Sequence, residues 1–382
     1  MGEHSIVRGT GSPSTVKVAG TVYCEGHDTF ECNLEAENLE TEDTVTIQGT
    51  LEIRNRIRAE DGKLVVHGKT TAIQIDVEEA LYISKDLTAR EVDVGGHLEV
   101  DGNTKVESIE VGGSFVAKGE VTARDIDVGG SLKIESSVTI DKLDVGGTAR
   151  VNGGRIKKID VGGSFESDAP LEFEDIDVGG TVRLADKSKG RNVDVGGSFE
   201  VKGDLEFGDI DVGGKVKITG SAEGIGIDVG GTVEVNGSLK LSGTLEVGGK
   251  AEVGKEVIAG KIEVGGVLRA HKAMVERLVE VGGSIHTAEG VTTSFFEIGR
   301  RGEVTGPIRA EEVIIGKDAR AETIYGKKIL LRKGAYARNV YGENVTIEPH
   351  CHVDGEILYT GELRMAETSL AKPPRKVDTL PS

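Results

Sequence analysis

The chain contains no Trp, and only 6 Tyr and 8 Phe among 382 residues. So few rings argue against a broad globular core and for a narrow one filled by Val, Ile and Leu. Proline is also scarce, at 7, which excludes a collagen-like or proline-rich linker protein. The 3 cysteines are odd in number and unevenly placed, which excludes a disulfide framework and points to a reducing compartment, the cytoplasm. No apolar run reaches the roughly 18 residues of a membrane-spanning helix, and no signal-peptide pattern opens the chain. Met1-Gly2 is followed by Ile6 where a myristoylation motif needs Ser or Thr. Basic residues are outnumbered 46 to 65, a net charge of −19. That balance excludes nucleic acid as a partner and direct adsorption to anionic lipid.

What the chain has in abundance is one repeated phrase and 56 glycines. A Val-Gly-Gly triplet begins at Val94, Val111, Val128, Val145, Val161, Val178, Val195, Val212, Val229, Val247, Val264 and Val281. The steps are 17 residues, apart from one of 16 and one of 18. A repeat this short cannot bury its own apolar face, so neighbouring copies must stack. Within one repeat the apolar residues come in alternating pairs: Ile126/Val128, Leu132/Ile134, Val138/Ile140, then Leu143/Val145. Spacing of two is strand alternation, which points both members of a pair to one side. Helical spacing is missing throughout. Three short strands and three corners per turn predict an all-β fold, a single long parallel β-solenoid of triangular section with six inward side chains per turn. The crossover rule favours right-handed coiling. The Gly pairs are expected at corners, as residues able to take positive φ.

Taken in order, residues 1–14 lack periodicity and are expected to form a flexible tail. Irregular turns follow over 15–93, with Glu78-Glu79 where the Gly pair would stand. The Val-Gly-Gly array runs over 94–297, and turns of a different style over 298–366. Residues 367–382, with Pro373-Pro374, read as a second loose tail. The paired region divides into about 20 turns of about 17 residues.

Before each Val of the triplet stands an acid: Asp93, Glu110, Asp127, Asp144, Asp160, Asp177, Asp194, Asp211, Asp228, Glu246, Glu263 and Glu280, with Asp76 and Glu297 at the two ends. Both neighbours of each acid point inward, so the acids form an outward column with a spacing of about 4.8 Å. Like charges in register repel, so the column is a repeated cost. It is either a stripe for cations or a partner, or a charged face that keeps molecules from sticking laterally; the latter is favoured. A second outward column (Glu99, Lys133, Arg150, Glu166, Arg183, Glu200, Lys217, Glu234) mixes signs and predicts ion pairs between turns.

Cys24, His27 and Cys32, and His350-Cys351-His352, suggest a metal. However, Cys24 alternates with Val22 and Cys351 with Val353, which places both thiols in the core, and neither cluster completes a tetrahedral set. The Gly pairs open no helix, so they are not phosphate cradles. His67, His97, His271 and His286 are scattered singly and expected on the surface. No catalytic, cofactor-binding or metal-binding residues are assigned.

Residues 298–365 carry a resemblance. Gly302-Glu303-Val304-Thr305-Gly306-Pro307-Ile308-Arg309-Ala310-Glu311-Glu312-Val313-Ile314-Ile315-Gly316, then Val340-Tyr341-Gly342-Glu343-Asn344-Val345-Thr346-Ile347 and Val353-Asp354-Gly355-Glu356-Ile357, resemble the bactofilin family of polymer-forming cytoskeletal proteins. The resemblance implies a right-handed triangular β-helix with short disordered tails, assembling through its ends into filaments without nucleotide. The chain is much longer than a usual bactofilin core and lacks the hydrophobic N-terminal segment some members use on membranes. No helical pattern covers Val16, Val18 and Val22 at one end or Ile357, Leu363 and Met365 at the other. Those residues are the expected end-to-end interface. The expected partner is therefore the chain itself, with proteins docking on faces or tails, and no cofactor. Two other classes remain open: a β-helix enzyme of the hexapeptide acyltransferase or carbohydrate-active kind, and a non-polymerising rod whose acidic face meets cations or a partner.

Overall fold

The computed structural model describes residues 5–7, 10–11 and 14–381. The architecture is the one that alternation of inward pairs predicts: all-β, with no helix among the described residues, and parallel strands stacked as a β-solenoid of about 21 turns of about 17 residues. Contacts divide the chain into two units, Met1–Gly190 and Arg191–Ser382.

In the first unit three ladders run side by side. The acid face begins at Thr21–Cys24 and passes through Gln74–Val77, Glu91–Val94 and Ser108–Val111. The post-glycine face passes through Val45–Ile47, Lys63–Val66, Ala80–Ile83, His97–Val100 and Ser114–Ala117. The third face carries Ser14–Lys17, then Thr70–Thr71, Leu87–Thr88 and Thr104–Lys105. The second unit repeats the plan, with 15-residue strands at Lys250–Val264, Val267–Val281 and Ser284–Ile298. Between Arg320–Leu331 and Tyr336–Ile347 the stacking register is 16, as Ala321 lies beside Ala337, and it returns to 17 where Val340 lies beside Ile357.

The six inward positions of the turn at Ile126/Val128, Leu132/Ile134 and Val138/Ile140 are each at most 2% exposed. Full burial of such a side chain contributes roughly 1.5–3 kcal/mol, most of it offset by chain entropy. Large residues face small ones along the stack: Phe165 lies beside Ala149, and the Phe173 ring fills the space where Gly190 has no side chain. Phe207 and Gly224 repeat that arrangement one unit later.

The glycine pairs are at the corners, but positive φ is not the reason. None of the Val-Gly-Gly glycines is among the residues with φ in the left-handed region. What requires glycine is close approach. A Cβ on Gly112 would come under 3.0 Å from the carbonyl oxygen of Gly95, and one on Gly130 equally close to that of Gly113. Identical corners stacked through the backbone leave no space for a side chain. After Ile298 the corners change type and do use the left-handed region, at Arg301 (φ 59), Asp318 (φ 57), Gly334 (φ 76) and His350 (φ 65).

Two segments read as tails are partly in the ladders. Ser5–Val7 pairs in parallel with Asp28–Phe30, and Thr10–Gly11 pairs antiparallel with Thr15 and Ser14. Residues 1–4, 8–9 and 12–13 of the expected N-terminal tail lie outside the described residues. At the other end Ser369–Leu370 pairs with His352–Val353, and Leu358–Tyr359 with Arg375–Lys376. Alternating apolar pairs do not mark these segments; backbone hydrogen bonds alone continue the ladder.

Two outcomes check this packing. A Gly130→Ala variant should lose about 1–3 kcal/mol by overpacking, and a charge at Ile134 or Val201, both at most 2% exposed, should cost more. Hydrogen exchange should show protection lost in the neighbouring turns; unchanged protection would remove the core assignment. Conversely, Thr104 is buried and its hydroxyl has no hydrogen-bond partner within the protein. Thr104→Val should therefore raise the urea midpoint, by about 1 kcal/mol in stability.

Candidate functional site

The acid column is assembled as spacing predicts. In the first unit Asp76 lies beside Asp93, Asp93 beside Glu110, Glu110 beside Asp127, Asp127 beside Asp144, and so through Asp160 to Asp177. In the second unit Asp194, Asp211, Asp228, Glu246, Glu263, Glu280 and Glu297 follow in register. Most of these carboxylates are exposed. Cations reach the column from the side at some rungs: Arg56 Nη2 is 2.5 Å from Asp76, Lys142 Nζ 3.7 Å from Asp144, and Lys261 Nζ 2.8 Å from Glu263. Burial, and next the Asp76 carboxylate, hold the Asp93 carboxyl above its ordinary value.

The column of mixed charge pairs less simply than expected. Lys133 bonds Glu135 of its own turn, and Arg150 makes a two-pronged contact with Asp168 at 2.7 and 2.9 Å while its distance to Glu166 is 3.7 Å. Long side chains reach past the directly opposed residue to the next outward position.

The thiols of Cys24 and Cys351 lie in the core, as their alternation with Val22 and Val353 predicts. Cys24, Cys32 and Cys351 are buried and form no disulfide. Burial, with Asp28 nearby, pushes the Cys24 thiol up to about 12, and burial raises Cys351 as well. Among the described residues no group of three or more His, Cys, Asp and Glu is placed to hold a metal ion.

One constellation was invisible in the local pattern. The 17-residue register sets His97 directly beside Ser114, with Nδ1 2.7 Å from Oγ, while Nε2 lies 3.7 Å from Glu99. His97 is accordingly half-buried, as is His286 beside Thr305, whereas His67 and His271 are exposed as expected. A serine, a histidine and a carboxylate in contact are the parts of an acyl-transfer site. Such a site also needs free amide donors for the developing oxyanion. Here the amides of Gly112, Gly113 and Ser114 are bonded to the carbonyls of Val94, Gly96 and Gly96. Glu99 is moreover held by Lys118 at 2.9 Å. The contact is a cross-turn hydrogen bond on a fully bonded sheet.

Sequence reasoning also missed two outward columns in 298–366. Arg309 lies over the Tyr325 ring at 4.8 Å, and Tyr325 is 5.1 Å from Tyr341. On another face Arg320 lies over Tyr336, whose ring stacks on His352 at 5.6 Å. Tyr336 donates its hydroxyl to Asp354, which holds that phenol above its ordinary value. The signal was present as equal spacing of 16 between Tyr325 and Tyr341. The acid column stops in the same region: Ile314 stands beside Glu297 and Leu330 beside Ile314. Ile314, Leu330, Lys328, Thr346 and Arg364 line an open groove of about 460 Å³.

The expected end interface is placed as follows. Val16, Val18 and Val22 are half-buried, with Tyr23 70% exposed beside them. Leu363 is half-buried and Met365 45% exposed. Ile357, in contrast, is 1% exposed, because the ladder continues past it to Arg375–Lys376. It belongs to the core and not to the rim. Among the described residues no helix is long and apolar enough to cross a membrane.

The repulsion has a measurable sign. A carboxyl whose value is raised on folding costs stability when ionised, and that cost fades as pH falls through its titration range. Asp93→Asn should therefore stabilise the protein at neutral pH, by about 0.2–1 kcal/mol, the scale of a cross-strand charge pair. The gain in urea midpoint should shrink in high salt and vanish in acid. A destabilised variant at neutral pH would remove the repulsive reading of the column. Comparison of the chain with family models, curated proteins and solved structures finds no match.

Proposed function

We propose that this chain is a non-enzymatic structural scaffold whose copies join end to end through their terminal turns into cytoskeletal filaments, in the cytoplasm and without nucleotide. The observation that carries the reading is the state of the end strands. Among the described residues, Thr21–Cys24 is paired on one side only, to 38–41, and Leu363–Met365 on one side only, to 345–347. Among the described residues no helix covers either. A parallel strand with an open edge, flanked by half-buried Val22 or Leu363, is a template for another strand. The resemblance of residues 298–365 to bactofilins supports the same reading and suggests membership of that family.

A β-helix enzyme is the weaker alternative, since the Ser114–His97–Glu99 contact offers no free oxyanion donors. A non-polymerising rod would use the exposed acid column instead, and would stay monomeric.

Negative-stain electron microscopy and light scattering of the purified chain, without nucleotide and across salt and protein concentration, should show filaments. A monomer under every condition would overturn the proposal. Leu363→Asp should raise the critical concentration on the order of tenfold or more, equivalent to about 1.4 kcal/mol per joint, while leaving the circular dichroism spectrum unchanged.

A further inference from the structure

The two ends of the chain are finished differently. In the last turn of the C-terminal unit, Leu363–Met365, Ser369–Leu370 and Arg375–Lys376 each run parallel to the strand before them. All three faces end there in the same sense as the ladders they terminate. At the start of the N-terminal unit two faces end in this way, the acid face at Thr21–Cys24 and the post-glycine face at Ser5–Val7. The post-glycine face is extended by Ser5–Val7, one rung beyond Asp28–Phe30. The third face is closed by Thr10–Gly11, which lies antiparallel on Ser14 and Thr15.

That antiparallel pair matters, because the ladders around it run parallel. Antiparallel and parallel strands present differently spaced hydrogen-bonding groups along an edge. A parallel rung arriving at the third face meets a strand of the wrong sense. On the post-glycine face the edge of Asp28–Phe30 is occupied by Ser5–Val7, so another rung reaches that edge only when the segment has left. Natural sheets limit unwanted growth by altering or covering their edges in this manner. The cover here is small: three residues on one face and two on another. Contacts of that size at a chain terminus belong to the part of a protein that opens most easily.

We propose that the strands Ser5–Val7 and Thr10–Gly11 form a detachable cap that holds the N-terminal rim closed to a second copy of this chain. The inference rests on the assembly reading above and adds its regulation. The rim joins the next copy only when the cap has left, so assembly is controlled from the N-terminal segment. Modification or capture of that segment by a partner would then set where assembly starts.

The test compares the full chain with two variants, Ile6→Pro/Val7→Pro and a chain lacking residues 1–13. Proline removes a backbone donor and cannot continue a ladder. Light scattering should show a shorter lag and a critical concentration lower by about tenfold in both variants. A synthetic peptide of residues 1–13, added to the shortened chain, should restore the slower course. Unchanged or slower assembly in both variants would overturn the cap. If no form assembles, hydrogen exchange at Asp28–Phe30 decides. Lost protection in the proline variant would uphold the cap contact while the filament reading fell, and unchanged protection would overturn the cap as well.

Discussion

The constraint on which everything else rests is the backbone hydrogen bonding of each turn to the turn before it. At the corners this takes the form Gly113 N to Gly96 O, Gly130 N to Gly113 O and Gly147 N to Gly130 O. Once corners stack in this way, a turn has to contain the same number of residues as its neighbour. The 17-residue step of the sequence is therefore a consequence of backbone bonding. The glycines follow from the same source, since stacked corners bring a carbonyl oxygen to the place a Cβ would occupy. The acid column is its cost: register that aligns Val128 with Val145 also aligns Asp127 with Asp144. Six buried side chains per turn outweigh one repulsive contact of a few tenths of a kcal/mol.

Residues 298–382 obey the same bonding with different corners and a different surface. Of the 46 basic residues 14 lie there, with 12 of the 65 acidic ones, so the net −19 divides into −21 before residue 298 and +2 after it. The corners change from glycine pairs to turns with one residue in the left-handed region, which a non-glycine residue enters at a cost of roughly 1–2 kcal/mol. Arg301, Asp318 and His350 accept that cost. What it allows is a wider choice of side chains at the corner. The outward column that is acidic before residue 298 continues as Ile314 and Leu330, while Arg and Tyr stack in outward columns on the other faces.

How much of this was legible follows from which interactions are local. Inward pairs such as Leu132/Ile134 are written in adjacent positions, so the core and the three-sided turn could be read directly. The acid column could be read because its period equals that of the corners. Contacts set by register between unlike residues could not: His97 and Ser114 meet only because 17 residues make one turn, and nothing near either residue signals the other. The reason for the glycines was misread because a corner suggests an unusual dihedral angle, whereas a clash with the next turn is visible only once turns are stacked. Ile357 was placed at the rim because alternation fades after Met365, yet the ladder continues on backbone bonds through Arg375–Lys376.

Those last strands show why the ends are the informative part of a solenoid. An interior turn has a neighbour on each side, and its stability is close to a sum of its own term and two interface terms. A terminal turn has one such interface, so its apolar residues stay half-buried, as Val22 and Leu363 do. Sequence can respond by weakening the end turn, by covering it, or by leaving it for another molecule. The chain uses more than one response. Charged residues line the final strand at Arg375–Lys376, Ser5–Val7 and Thr10–Gly11 lie over two faces of the first turn, and Thr21–Cys24 is left with an open edge and an exposed tyrosine. A ladder that needed nothing beyond its own length would be expected to close all three faces at both ends. Among the described residues two faces at the start and three at the finish end on a parallel strand, and the joining proposed above would use those edges.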